Sequence, residues 1–511
     1  MLIGMTDTCA HCLRTLPAHT ACAHCLRTLP AHTDSTCREV HILDRVRRLP
    51  AIDWAPLATI DTRSLALFRI IIAFVVIGDL AWRLPDLNFF MTDAGALPRV
   101  DLWRLDNNHY SWSLHVLSGT WAWQFILWMV HLAAAVALAL GWRTRLATIF
   151  TWVLCVSLQA RNYQIVQGGD VLLRCLLFWA MFLPLGARAS VDAWRAGPHR
   201  GTMPTIVRNA ASLAILLQIS LIYLCTGILK WDPAWHTQGS ALWYALNLDQ
   251  FATPIGRWLR TQETWLPWLT RGTLGLELIG PFLAFMPWRN AHFRSVAVLA
   301  FFSLHLGMLA CLELGPFPYV CFAGWALFIP SHWWSWRPTR PVALAPPLTR
   351  MSEFVVLLLL AYVLLWNART INFARVAPLF PPVMNGLIEI PRLDQMWSMF
   401  APTPLREDGW YVARAELGDG TVIDLITGMA PHEDAPAGAP YANERWRKYL
   451  VNLSTGEGSP WRLAALAALK RRWDSRHPQA PVISCELRFW RKTNRLGGPP
   501  ECHVEIFAKI P

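Results

Sequence analysis

Nine apolar runs separated by polar connectors constrain this chain more than any other feature. They are Leu65–Trp82, Trp121–Leu140, Ala147–Leu158, Val171–Leu185, Ala211–Leu229, Thr273–Trp288, Ser295–Leu312, Phe317–Pro330 and Glu353–Trp366. A helix crossing the hydrocarbon layer needs about 20 mostly apolar residues. The runs therefore predict an all-α polytopic membrane bundle of about nine transmembrane helices. Several runs are short and should extend by a few residues; Phe317–Pro330 is the weakest and also suits a re-entrant segment. Only 16% of the residues are charged, against about 25% in soluble domains.

Arginine placement sets a topology. Alternate connectors hold Arg143 and Arg145, then Arg188, Arg195, Arg200 and Arg208, then Arg289 and Arg294, then Arg337, Arg340 and Arg350, with Asp192 the only acid among them. The intervening connectors mix signs. An arginine excess in every second loop marks the cytoplasmic side, which places the N-terminus inside and everything after Trp366 outside. The net charge of +12 and the 29 tryptophans fit this loop bias and interfacial belts better than a nucleic-acid surface. The lipid bilayer is the expected partner and nucleic acid is not.

Three regions follow: a cytoplasmic segment at 1–60, a transmembrane domain at 61–366 and a small extracytoplasmic α+β domain at 367–511. In the last, Gly409–Leu417 and Thr421–Ile426 alternate around Gly418-Asp419-Gly420, a hairpin signature. Helical stretches Asn443–Val451 and Trp461–Trp473 precede a second hairpin, Val482–Lys492 with Cys502–Lys509. A Cys485–Cys502 disulfide is a candidate, although symmetric pairing across Gly497–Gly498 does not place the two opposite each other. No cleavable leader is visible before Arg63. The N-terminal segment repeats CAHCLRTLPAHT perfectly, at Cys9–Thr20 and Cys22–Thr33. Its pairs Cys9/Cys12 and Cys22/Cys25 suit a four-thiolate zinc site on spacing. Perfect identity is equally what a recent duplication, or upstream sequence read from a wrong start, produces. We expect a disordered segment and no metal.

Ionisable residues inside spans are costly and become functional candidates. With the arginine topology, Asp79, Asp170, Arg174, Lys230, Glu277, His305 and Glu313 all fall in the outer half of the membrane, with His131 nearer the middle. This predicts one polar cavity facing outward. Each residue also has a packing explanation. Asp170 and Arg174 stand at i,i+4 and can neutralise each other. Asp79 can be satisfied by a neighbouring helix, and Glu277 can bond the backbone freed by Gly280-Pro281. His305 can be a hydrogen-bonded packing residue. Lys230, at the end of Ala211–Leu229, is either an anchor whose ammonium snorkels to the headgroups or a desolvated amine able to act as a base.

The segment Thr226-Gly-Ile-Leu-Lys230-Trp-Asp-Pro-Ala-Trp235, with Gly239 and Tyr244, resembles the vitamin K-dependent gamma-carboxylases, whose equivalent helix ends on a lysine taken as the catalytic base. Phe302-Ser-Leu-His305, followed by Gly315-Pro-Phe-Pro-Tyr-Val320, is similar to a histidine-containing stretch of those enzymes. More broadly the chain resembles bacterial members of the HTTM (horizontally transferred transmembrane) domain family. This likeness is carried by Leu67-Phe-Arg-Ile70, Phe90–Pro98, Gly168-Gly-Asp170, Leu248-Asp-Gln-Phe-Ala252 and Trp397-Ser-Met-Phe-Ala-Pro402. It departs from the carboxylases at Arg161-Asn162-Tyr163, where Tyr163 stands in place of a functional histidine, and in a shorter outer region.

The resemblance implies a carboxylase-like enzyme, a lyase or ligase using a reduced, vitamin K-like quinone, or a maturation factor for exported peptides or proteins. It implies a bacterial cytoplasmic membrane. Lys230 and His305 would be catalytic; Asp79, Asp170, Arg174, Glu277 and Glu313 would line or support the cavity. A non-catalytic maturation or export partner and a small-solute transporter remain the alternatives.

Overall fold

The computed structural model describes residues 54–105, 110–197, 204–334, 343–379, 384–432 and 441–511. The tandem repeat with its four cysteines, and Arg200, Arg337 and Arg340, lie outside the described residues.

Each of the nine apolar runs contains a helix. In chain order these are α1 (Thr62–Arg83), α2 (Trp121–Leu140), α3 (Thr144–Arg161), α4 (Gly168–Ala180), α5 (Ala210–Leu229), α6 (Leu266–Ala284), α7 (Asn290–Cys311), α8 (Phe317–Ala326) and α9 (Arg350–Ile371). Local chemistry sets several ends. Asp61 caps α1 by accepting from the Arg63 amide, and Asn209 with Ser212 forms a capping box on α5. Gly141, in the left-handed region at φ +67°, ends α2.

Nine crossings were expected. Among the described residues, five helices are long and apolar enough to span a bilayer: α1 continued to Met91, α2, α5, α7 and α9. The other four differ for physical reasons. Helix α4 has 13 residues and α8 has 10, or about 20 and 15 Å at 1.5 Å per residue, short of the ~30 Å hydrocarbon layer. Helix α3 carries Thr, Ser, Gln and Arg along its length, and α6 contains Arg271, Glu277 and Pro281.

The short helices form the centre. Helix α4 is buried from Leu172 to Ala180 without a break, Arg174 included, and α8 is nearly as enclosed; a helix with no polar face left to solvent belongs in the interior. Helix α8 packs against α1, α4 and α7; α4 packs against α3 and α5. Helix α5 then contacts α6 and α9, and α6 contacts α7. A two-stranded sheet, β1 (Thr59–Asp61) with β2 (Ile206–Arg208), ties the start of α1 to the start of α5.

After α9 the chain forms a four-stranded antiparallel sheet from β3 (Glu407–Leu417), β4 (Val422–Asp424), β5 (Val482–Thr493) and β6 (Glu501–Ile510), in the order β4-β3-β5-β6. The Gly418–Gly420 turn joins β3 to β4, with Gly420 at φ +83°. Between the hairpins lie α10 (Glu444–Ser454) and α11 (Arg462–Arg476). Helix α11 covers β5 and β6, whereas α10 rests on Tyr163–Ile165 of the helical bundle. Both hairpins and both helices match the sequence reading. The disulfide does not form: Cys485 pairs with Ile510 and Cys502 with Lys492, and both thiols are free.

Candidate functional site

Helix α5 ends at Leu229 with Lys230 as its non-helical cap (φ −81°, ψ 70°), three residues before Pro233. The Lys230 side chain does not reach outward. It is 4% exposed, and its Nζ donates to both carboxylate oxygens of Glu277 at 2.6 Å. The Trp235 ring lies over the ammonium, its centroid 4.1 Å from Nζ. The anchor reading is thereby corrected: a snorkelling lysine keeps its head in water, and this one is sealed against a carboxylate. Glu277 is itself 6% exposed, and it is held by Lys230 rather than by the backbone freed at Pro281.

Gly227 makes this contact possible. A Cβ there would meet Leu278 Cδ2 at 2.9 Å and Glu277 Cβ at 3.4 Å, so α5 and α6 approach as closely as a bare backbone allows. The loop after Lys230 and the segment Trp397–Thr403 close the pair. His236 Nε2 donates to the Lys230 carbonyl at 2.7 Å, Trp235 Nε1 donates to Phe400 O at 3.1 Å, and Thr403 Oγ1 donates to Asp232 at 3.1 Å.

His305 is fully buried and shares a 2.6 Å hydrogen bond with Tyr223 Oη, between the rings of Phe317 and Phe322. Its Nδ1 has no partner among the described residues. Tyr223 is two turns before Lys230 on α5, about 10 Å along the axis. The structure therefore links His305 to the same helix as Lys230 without bringing the two together.

The remaining charges gather elsewhere. Arg445 of α10 inserts between Asp79 and Asp170: Nη2 donates to Asp79 at 2.5 Å, and Nη1 and Nη2 donate to Asp170 at 2.5 and 2.8 Å. Arg83 completes the group, 2.7 Å from Asp79 and 3.2 Å from Asp170. Two carboxylates and two guanidiniums neutralise each other out of contact with solvent. The predicted Asp170–Arg174 pair is corrected: Arg174 turns to Asp394 at 2.8 Å and Gln159 at 3.1 Å. Among the sequence-predicted acids, Asp79 instead forms an i,i+4 pair with Arg83. His131 is buried and takes no part in these ion pairs.

Glu313 lies apart, exposed on the wall of a cleft of about 320 Å³ between the α7–α8 loop, Trp82 and the start of α10. In place of the single outer cavity expected from residue depth, the buried charges are divided between the Lys230–Glu277 pair, the four-membered Asp79/Arg83/Asp170/Arg445 group and the Arg174–Asp394 contact, while Glu313 stays exposed. Sequence reading missed Arg445 and Arg83. The spacing of Asp79 and Arg83 was legible; Arg445, on an ordinary amphipathic stretch, carried no signal.

The family model described as HTTM domain matches residues 58–333. The match takes in α1 through α8, with Lys230, Glu277, His305 and Glu313, and ends before α9 and Arg445. No curated protein and no solved structure matches the chain.

Proposed function

The chain belongs to the HTTM domain family, and from that premise we propose that it is a membrane enzyme whose base is Lys230, modifying a peptide or protein on the outer side of the membrane. That it is an integral membrane protein follows from the family and from its apolar helices. The enzymatic reading rests on one observation, the enclosed contact of Lys230 with both Glu277 oxygens at 2.6 Å.

Two desolvated charges each cost several kcal/mol, offset only by close mutual attraction. At this distance the proton can reside on either heteroatom. With the proton on Glu277, Lys230 is a free amine in a water-poor setting, which is a base. Trp235 orients the amine, and the Trp397–Thr403 segment excludes water. An arginine in the same position would hold its proton under all conditions.

The residues around the pair also fit the reduced quinone implied by the resemblance to the carboxylases. Ile228 and Trp231 flank Lys230 in sequence, Ile279 and Phe282 follow Glu277 on α6, and all four are exposed. This is apolar surface suited to a bilayer-dissolved molecule, and the amine suits the acceptance of a phenolic proton. When bound, such a cofactor would supply the redox chemistry that side chains lack. With the pair's own proton on Glu277, Lys230 would take the phenolic proton and carry it as its ammonium, and His305 would fix the α5–α7 contact through Tyr223.

The arginine bias of the loops supports an outer location for the sheet region and a cytoplasmic N-terminus, as in a bacterial cytoplasmic membrane. Exposed Cys502 provides the check. An impermeant maleimide should label intact cells, and Cys502→Ser should abolish that labelling; labelling only after lysis would invert the topology. The chemical test is mass spectrometry of exported proteins from cells with and without the chain. A new acidic modification should require the wild-type protein and vanish in Lys230→Arg at normal expression. Full modification with Lys230→Arg would sink the base assignment.

A further inference from the structure

The cleft that holds Glu313 has a chemistry of its own. Its walls are apolar and aromatic: Leu309, Leu312, Trp82 at 51% exposure and Tyr319 at 42%. Its charges are almost all committed. Arg445 is bound into the neutral cluster with Asp79 and Asp170, and Arg447 is paired with Glu444 while lying 4.0 Å over the Phe251 ring. Glu313 is the exception: among the described residues its carboxylate has no ion pair and no hydrogen-bond partner. Gln250 gives a second and independent sign. Only 5% exposed, it lines the same cleft, and its Oε1 has no partner among the described residues. A buried acceptor with no donor is costly unless something else supplies one.

Two unmatched acceptors between aromatic walls call for a cationic donor on an apolar stem. We propose that this cleft binds an ammonium or guanidinium group of a polypeptide, such as a lysine or arginine side chain, with Glu313 as its counter-ion and Gln250 Oε1 as a further acceptor. At about 320 Å³ it is at the small end of ligand sites and takes one long side chain rather than a folded surface. Its walls come partly from α10, outside the membrane spans. A chain of contacts leads from the cleft wall toward the lysine site: Arg447 lies over Phe251, whose ring is 6.1 Å from that of Phe400, and the Phe400 carbonyl accepts from the Trp235 ring that covers Lys230. That the polypeptide is the enzyme's client rests on the proposed function; cation binding itself does not.

The test uses the full chain in phosphatidylglycerol nanodiscs, with dansylcadaverine, a primary amine on an apolar fluorescent stem, as probe. Anisotropy should rise saturably. Glu313→Gln should weaken binding at least about tenfold, Glu313→Asp should restore it to within about threefold, and the acetylated probe should not bind. A Leu-Lys-Leu amide peptide should displace the probe, and its acetyl-lysine version should not. Lys230→Arg should bind the probe as the wild type does, so loss of chemistry and loss of cation binding are read separately. Equal binding by Glu313→Gln, equal binding of the acetylated probe, or the absence of saturation would overturn the proposal. Displacement by phosphatidylethanolamine vesicles but not by the peptide would overturn the polypeptide assignment in favour of a lipid headgroup.

Discussion

Two buried ionic groups in this molecule have the same net charge and opposite consequences. Asp79, Arg83, Asp170 and Arg445 form a closed set of two acids and two guanidiniums. Lys230 and Glu277 form a single pair. In the first, neither cation can give up its proton, so the only way to remain neutral is to keep all four partners. In the second, proton transfer within the pair removes both charges. The first group is a clamp that fixes α10 onto α1 and α4; the second can exchange protons with something else. Asp408 adds a third case: a buried carboxyl with no ion pair among the described residues, accepting from the Gly409 amide at 2.9 Å and from the Asp249 amide, while nearby Lys492 pairs with Asp249.

Removing one acid from each group would break or sharpen this contrast. The largest effect belongs to the clamp. Asp170→Asn leaves Arg83 and Arg445 facing only Asp79, a surplus buried positive charge with no means of discharge. We expect a loss of about 3–5 kcal/mol, read as a lower thermal midpoint in detergent and faster proteolysis after α9. A loss below about 1 kcal/mol would show that the clamp does not bear on stability.

Asp408 comes next, and its signature is a pH slope. Burial pushes its carboxyl up to about 6, against the lowering effect of its amide donors and Lys492. The folded state thus favours the protonated form. The stability it contributes is complete below the ordinary carboxylate range and is lost as pH rises through about 6. The cost is up to about 3 kcal/mol across that window. Asp408→Asn should remove this part of the slope, as seen by comparing thermal midpoints of the two proteins at pH 4 and pH 7; identical slopes would contradict the assignment.

Glu277→Gln should cost less than Asp170→Asn, about 1–3 kcal/mol, because the stranded amine can shed its proton where a guanidinium cannot. Equal losses for the two variants would erase the distinction between clamp and pair. The smallest effect is expected for Tyr223→Phe, which removes one hydrogen bond to His305 and should lower stability by about 1 kcal/mol. Loss of the proposed modification in this variant, at normal stability, would extend the site to His305.

Much of the architecture was readable because membrane spans and hairpins are local. The α5 run, its stop before Pro233, the glycine turn at Gly418–Gly420 and the α10–α11 pair each follow from neighbours in sequence. Crossing number was less legible: among the described residues five helices are long and apolar enough to span, while α4 and α8 are as apolar and shorter. Among the site residues, the importance of Lys230 and Glu277 was visible as charge in apolar runs, but their pairing was not. Depth along a helix says nothing of which way a side chain turns, so residues at one depth were assigned to one cavity and then proved to face different helices.

The sequence by itself determined which long stretches become helices and strands, since capping residues, prolines, glycines and apolar period act within a few positions, although the ends of α4, α6, α8 and α9 fall elsewhere than its apolar runs do. It also determined that costly charges lie within the helical region. Tertiary structure alone decided who neutralises whom. Arg445 reaches Asp79 across 366 positions of chain, and Lys230 reaches Glu277 across 47. Such partners are selected by the direction in which packed helices present their side chains, and by the cost of leaving any buried charge unmatched. That cost is paid in three dimensions and leaves no periodic trace in one.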